Sequence, residues 1–166
     1  FRFEGVARDP IPSVLRGFSA PVALRSDLST DDRLAQMAHD PDPFTRWEAG
    51  QAIARELILA LSEGKQGDPA PLADALAREL DRAQEDPAFA ALALRLPDLA
   101  ELIQAAPAPD PDKLYDARQT VRRAIVDKLR PRLEAIASAP SEMPFSASAD
   151  AAGRRALKTA AFDLLS

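Results

Sequence analysis

Apolar residues recur every three or four positions along most of this chain, which is the spacing of one buried helix face. From residue 26 onward these stripes predict helices of roughly 10 to 20 residues joined by short loops. The longest predicted helix carries the stripe Leu114, Val121, Ile125, Leu129, Leu133 and Ile136. Shorter stripes are Trp47, Ile53, Leu57 and Leu61, then Leu72, Leu76 and Leu80.

Helix starts are marked by acceptor side chains followed by helix formers. Ser29 precedes one stripe, and an Asp-Pro pair recurs at residues 42–43, 68–69, 86–87 and 110–111. In such a pair the carboxylate accepts a free first-turn N–H, and proline sits where its missing donor costs nothing. Pro131 lies inside the longest stripe, where it is expected to kink or divide the helix.

Residues 1–25 carry the only β pattern of the chain. Phe1 and Phe3 alternate with polar residues, and residues 14–18 and 22–25 are predicted strands set among prolines. Two or three strands alone are marginal in water. We therefore expect the last part of a sheet whose other strands lie elsewhere.

The whole pattern predicts a mainly α fold, an irregular α-α superhelix of the armadillo or HEAT kind preceded by a short β segment. Asp42, Pro43, Arg46 and Ala49 resemble the second-helix signature of HEAT repeats, while the period elsewhere is irregular. A compact helical bundle is the alternative.

Composition narrows the function classes. Alanine and leucine dominate the 46% apolar share and aromatic residues make up 5%, which favours closely packed helices. A net charge of −5 argues against a general nucleic-acid binder. Without cysteine the chain forms no disulfide and no thiolate zinc site. No run of 18 apolar residues predicts a membrane span.

Three segments resemble the bacterial aminopeptidase N family, zinc-dependent enzymes that remove N-terminal residues from peptides. They are PIPSVLRGFSAPV at 10–22, HDPDPFTRWEAGQ at 39–51 and DAAGRRALK at 150–158. In that family such a stretch joins a β-sandwich domain to a C-terminal helical domain. The resemblance implies terminal strands of an Ig-like β-sandwich over 1–25, and the first part of a truncated helical superhelix domain over 26–166.

The catalytic motifs of that family are missing from this sequence. H-E-x-x-H places two imidazoles on one metal, but the chain has one histidine, His39, followed by Asp40 and Pro41. The Gly-x-Met-Glu-Asn motif is excluded because the chain contains no asparagine. We therefore expect no catalytic residue, metal ligand or cofactor in this chain, and zinc only in a parent enzyme.

Three residues are expected at the interdomain junction that the resemblance implies: Arg16, Phe18 and Trp47. Trp47 is predicted to pack against Phe18 or Leu15. A buried Arg16 would fix a hinge there, and an ordinary β-turn-β segment is the equal alternative.

A basic stripe runs along the longest predicted helix. Arg118 and Arg122 are four residues apart and share a face. They are candidates to line an internal chamber, where guanidinium groups would meet peptide carboxylates. The alternative, which we favour, is a solvated face balanced by Asp116 and Asp127.

The leading hypothesis is a non-catalytic module that closes over the catalytic domain of a cytoplasmic zinc aminopeptidase and restricts access. The resemblance implies broad specificity for that parent, with small or basic N-terminal residues preferred. An independent HEAT-like scaffold for a protein partner is the alternative. The abrupt ends suggest a fragment, whose uncovered apolar faces are expected to favour self-association.

Overall fold

Helices account for nearly all regular structure in the computed structural model, which describes residues 4–5, 10–19, 22, 26–140 and 144–166. The described part of the chain contains seven α-helices and no strand. They are α1 (Thr30–His39), α2 (Pro43–Ser62), α3 (Ala70–Asp81), α4 (Pro87–Ala93), α5 (Leu99–Ala105), α6 (Pro111–Ser138) and α7 (Ala149–Leu165). The predicted mainly α fold is confirmed.

Helix α6 is the spine of the structure. It packs against α2, α3, α5 and α7, while α1 pairs with α2 and α4 pairs with α7. Its predicted stripe is buried: Val121, Ile125 and Leu133 are each 0% exposed. Pro131 lies within α6 without dividing it. Leu129 and Leu133 anchor the chain to the core on both sides of this proline, so the expected division does not occur.

Most predicted helix starts are confirmed by their capping hydrogen bonds. Ser29 and Asp32 form a reciprocal capping box at α1. Asp42, Asp86 and Asp110 each accept the backbone N–H three residues on. The Asp68-Pro69 start is shifted by one residue, since Pro69 is itself the N-cap of α3.

The strand predicted over residues 14–18 is wrong. Residues Arg16–Phe18 form a short 3-10 turn instead. Leu15, Gly17 and Phe18 have φ values of 55°, 61° and 53°, a left-handed conformation that no strand contains. Phe1, Phe3 and residues 23–25 of the remaining β prediction lie outside the described residues.

None of the helices in the described ranges has the length and apolarity needed to cross a bilayer.

Close contact between α7 and α4 depends on Gly153. A Cβ built there would lie 2.9 Å from the backbone nitrogen of Ala88 and 3.1 Å from Cγ of Pro87. At Gly50, in contrast, a Cβ would lie 3.4 Å from the flexible Met37 sulfur. The two positions therefore make a matched pair of helical glycines.

We expect Gly153→Ala to destabilise the fold by about 1–2 kcal/mol. Overpacking against the α4 backbone costs about 1–3 kcal/mol, and the helix propensity of alanine returns up to about 1 kcal/mol. Gly50→Ala should be neutral or stabilising by up to about 1 kcal/mol. Urea unfolding of both variants checks this, and equal effects at the two sites would refute the close-approach argument.

Candidate functional site

The turn at Arg16–Phe18 is bound to the start of α2 through Asp42. One carboxylate oxygen of Asp42 accepts the backbone N–H of Gly17 at 2.9 Å, and the other accepts that of Thr45 at 3.0 Å. The pKa of Asp42 is lowered, chiefly by the Thr45 amide and further by the Gly17 amide. One side chain thus caps α2 and anchors the preceding segment.

A second bond holds the same segment to α1. The side-chain amide of Gln36, which is buried, donates to the backbone carbonyl of Pro12 at 2.8 Å. Residues 10–19 are thereby laid across the α1–α2 pair.

Three aromatic rings extend from the turn along α2. The rings of Phe18 and Phe44 have centroids 5.2 Å apart, and those of Phe44 and Trp47 are 6.0 Å apart. Trp47 is half-buried, whereas Phe18 is 57% exposed. Phe44 thus stands between Trp47 and Phe18, which with Leu15 was one of the two predicted contacts of Trp47. The interdomain role of Phe18 and Trp47 stays a prediction.

The burial expected of Arg16 is not seen in this chain, while its interdomain role, like that of Phe18 and Trp47, stays a prediction. Its side chain is 53% exposed, and its guanidinium lies 3.9 Å from the Asp40 carboxylate and 3.4 Å from the Ser13 hydroxyl. The left-handed turn directs this side chain to the surface. Such an exposed ion pair stabilises weakly, so Asp42 is the stronger anchor of the turn.

A buried charge cluster lies beneath the junction, between α2 and α3. Glu79 is 3% exposed, and its carboxylate lies 3.7 Å from Nε of Arg46 and 3.6 Å from Arg82. Arg46 also donates to the Asp40 carbonyl at 3.0 Å and stacks on Phe89, 4.6 Å from the ring centre. These contacts join α1, α2, α3 and α4 at one point.

Burial raises the pKa of Glu79, and the nearby Arg46, Arg82 and Arg78 only partly oppose that rise. The separations from Arg46 and Arg82 exceed hydrogen-bond length, so the attraction does not fully offset desolvation.

The candidate chamber-lining arginines of α6 are both engaged within the fold. Arg118 donates from Nε to the Pro97 carbonyl at 2.8 Å, and burial lowers its pKa. Arg122 contacts Oε1 of Gln119 at 3.1 Å and the Asp163 carbonyl at 3.5 Å. Asp116 and Asp127 pair with neither in the described part of the chain. A chamber-lining role for the two arginines stays a prediction.

In the part of the chain that the structure describes, the residues do not fit a zinc ion. Across the described ranges no three His, Cys, Asp or Glu side chains converge as metal ligands. The single histidine, His39, is exposed at the last position of α1.

Sequence reasoning missed Glu79 and Phe44 as organising residues. Glu79 follows Leu72 by seven residues and Leu76 by three, so it occupies a core position of the α3 stripe. A charged residue at such a position is the signal that was available. Phe44 belongs to no stripe, and its place between two rings depends on the turn geometry.

Aminopeptidases are among the known proteins to which this chain is similar. A family model described as a domain of unknown function (DUF3458_C) with ARM repeats matches residues 30–166. Aminopeptidase N of Caulobacter vibrioides is 42% identical over 171 positions, covering 99% of this chain and 20% of that protein. Aminopeptidase N of Escherichia coli is 31% identical over 170 positions, with the same two coverages.

A solved structure is similar in both fold and sequence. The crystal structure of Legionella pneumophila aminopeptidase A in complex with aspartic acid gives a TM-score of 0.82 and 29% identity. That match covers 99% of this chain and 20% of the Legionella chain. The chain therefore spans about a fifth of the length of these relatives. The predicted armadillo-like superhelix and the resemblance to aminopeptidase N are confirmed.

If Asp42 anchors the turn as well as capping α2, loss of its bond to Gly17 should change the fluorescence of Trp47. Loss of a helix cap alone should not. Asp42→Ser keeps a capping oxygen for Thr45 but cannot hold Gly17 as well. We expect a red-shifted emission and stronger acrylamide quenching of Trp47, the only tryptophan of the chain, with unchanged far-UV circular dichroism. Asp86→Ser at α4 is the control and should leave the emission unaltered. Unchanged Trp47 emission in Asp42→Ser would refute the anchor.

Glu79 predicts a pH dependence of stability. Because its pKa is raised on folding, the folded chain retains a proton that the unfolded chain has already lost. Its contribution to stability is therefore present at low pH and falls as pH rises through the folded-state pKa. We expect the free energy of unfolding of the parent chain minus that of Glu79→Gln to fall as the pH rises above about 4.5, the ordinary pKa of a glutamate. Exposed Glu85→Gln should show no such trend; a flat difference for Glu79→Gln contradicts the assignment.

Proposed function

Because the chain belongs to the ARM-repeat family that matches residues 30–166, we propose that it forms part of the non-catalytic helical domain of a zinc-dependent aminopeptidase. The observation that carries the proposal is the match of 99% of this chain to one fifth of two aminopeptidases N. The catalytic motifs expected of that family are absent from this sequence, so catalysis is assigned to another part of a longer polypeptide.

The role assigned to this domain is to close over the catalytic domain and restrict access to it. A stacked helical superhelix suits this role because each repeat packs on its neighbour and presents an extended concave surface. Peptides enter the resulting chamber, and folded proteins are excluded. Arg118 and Arg122 are proposed to contribute to its wall through the loop and helix ends that they hold.

The junction to the preceding domain is assigned to residues 10–19 and the start of α2. Support comes from the anchor between Gly17 and Asp42 and from exposed apolar side chains beside it. Val14, Phe18 and Val22 are 42%, 57% and 57% exposed, which is apolar area for a neighbouring domain to bury. Because Arg16–Phe18 form a turn and not a strand, only the part of residues 1–25 outside residues 14–18 is proposed to belong to a β-sandwich there.

We further propose a cytoplasmic location for the enzyme and zinc as its cofactor outside this chain, as the resemblance of the sequence implies. Self-association of the chain alone is proposed through uncovered faces such as that around Phe162, which is 63% exposed. An independent HEAT-like scaffold is disfavoured because the matched relatives are longer aminopeptidases.

Two measurements test the proposal. The genomic reading frame should continue upstream of the Phe1 codon into an H-E-x-x-H motif, and its complete product should release amino acids from aminoacyl 4-nitroanilides until zinc is chelated. The 166-residue chain alone, supplied with zinc, should release none. A start codon directly before Phe1 would favour the scaffold, and chelator-sensitive activity of the chain alone would overturn the proposal.

A separate measurement on the complete enzyme tests whether this domain restricts the access of substrates to the catalytic domain. The kcat/KM for a short peptide should greatly exceed that for a folded protein with the same accessible N-terminal sequence. Equal values for both substrates would refute the closing role while leaving the aminopeptidase assignment intact.

A further inference from the structure

A cavity of about 720 Å³ opens between the junction segment and helices α1 and α2. Its wall is apolar and aromatic, and is formed by Val14, Leu15, Phe18, Val22, Phe44 and Trp47. Glu48 lies on this wall one residue after Trp47. The lining of the cavity thus contains charged side chains beside its aromatic rings.

The charged side chains that face the cavity do not all have ion-pair partners. Arg33 pairs with Glu56 at 3.1 Å, and Arg55 pairs with Glu101 through two bonds of 2.9 Å and 2.7 Å. Both arginines of the wall are therefore already committed to other carboxylates. In the described ranges, no hydrogen bond and no ion pair reaches the carboxylate of Glu48.

An unpaired carboxylate at this depth is costly to the isolated chain. Glu48 is partly buried, and burial raises its pKa, with Arg55 opposing and Glu101 reinforcing that rise. The other acidic residue of the wall without an ion pair among the described residues is Asp27, which is exposed and therefore hydrated. Glu48 is therefore the acidic residue of the wall with which a basic side chain of a partner would pair.

We propose that Glu48 and the rings of Phe18, Phe44 and Trp47 form a receptor for one arginine side chain of the polypeptide that adjoins this junction. A guanidinium donates two N–H groups to a carboxylate and stacks on aromatic rings, which an ammonium does less well. Val14 and Val22 would cover its aliphatic stem. The inference rests on the junction role proposed above and supplies the chemistry of the partner.

The test uses the 166-residue chain and a small probe, N-acetyl-L-arginine amide, with N-acetyl-L-citrulline amide as its neutral isostere. Trp47 emission reports binding, since this tryptophan lines the cavity and is the only one present. We expect saturable binding of the arginine probe in the millimolar range and at least tenfold weaker binding of the citrulline probe. Equal binding of both probes overturns the receptor.

Variants assign the binding to Glu48. Glu48→Gln should abolish the preference for the arginine probe, and Glu85→Gln, an equal charge change at an exposed distant site, should retain it. Glu48→Asp keeps the charge with a shorter reach and should bind with intermediate affinity. Far-UV circular dichroism confirms folding of each variant, and undiminished arginine preference in a folded Glu48→Gln chain contradicts the proposal.

The source of the arginine is tested separately from its chemistry. In the complete polypeptide the resident arginine fills the receptor, so the probe should fail to bind there; binding as tight as in the isolated chain overturns the intramolecular source. If the genomic reading frame encodes no adjoining polypeptide and the 166-residue chain still binds the probe, the junction is overturned and the receptor stands. If the reading frame encodes an adjoining polypeptide but the 166-residue chain does not bind the probe, the receptor alone is overturned.

Discussion

This structure depends on pairing the free backbone N–H and C=O groups at the ends of its helices. Seven helices in the described residues expose many backbone N–H and C=O groups that have no partner within their own helix. Aspartate and serine caps satisfy the amino ends locally. Arginines from other elements also bind carbonyls near two carboxyl ends: Arg82 donates to Ala38 of α1 at 3.1 Å, and Arg132 to Ala77 of α3 at 2.8 Å. Each such bond fixes one helix against another.

The same constraint explains why the basic residues of α6 serve the fold. Arg118 satisfies the Pro97 carbonyl in the connection between α4 and α5, where no helical partner exists. In this respect a half-buried arginine is a structural donor whose aliphatic stem packs and whose guanidinium reaches a carbonyl. Such an arginine would affect the shape of the proposed chamber by fixing the position of the backbone segment whose carbonyl it binds.

Local sequence rules predicted the helices because each element depends on its own residues. The side chains of Ser29 and Asp42 specify helix starts by accepting N–H groups of the first turn, and the α6 stripe specifies the face that is buried. The turn at Arg16–Phe18 could not be predicted in this way. Its left-handed residues are held by Asp42, 25 positions away from Gly17, and no local pattern contains that bond.

Exposed apolar side chains gather at the junction more than at any other single place in the described ranges. The buried stripes of α2, α3, α6 and α7 meet in one core. Ile11, Val14, Phe18 and Val22 are exposed at the junction, while Leu92, Tyr115, Phe145 and Phe162 are exposed at separate places on α4, α6 and α7 and before α7. In a stacked helical array each unit buries its faces against its neighbours, so its stability is shared across those contacts. The junction is the place where apolar exposure and an unpaired carboxylate coincide, and a neighbour bound there would stabilise the array by removing both from water.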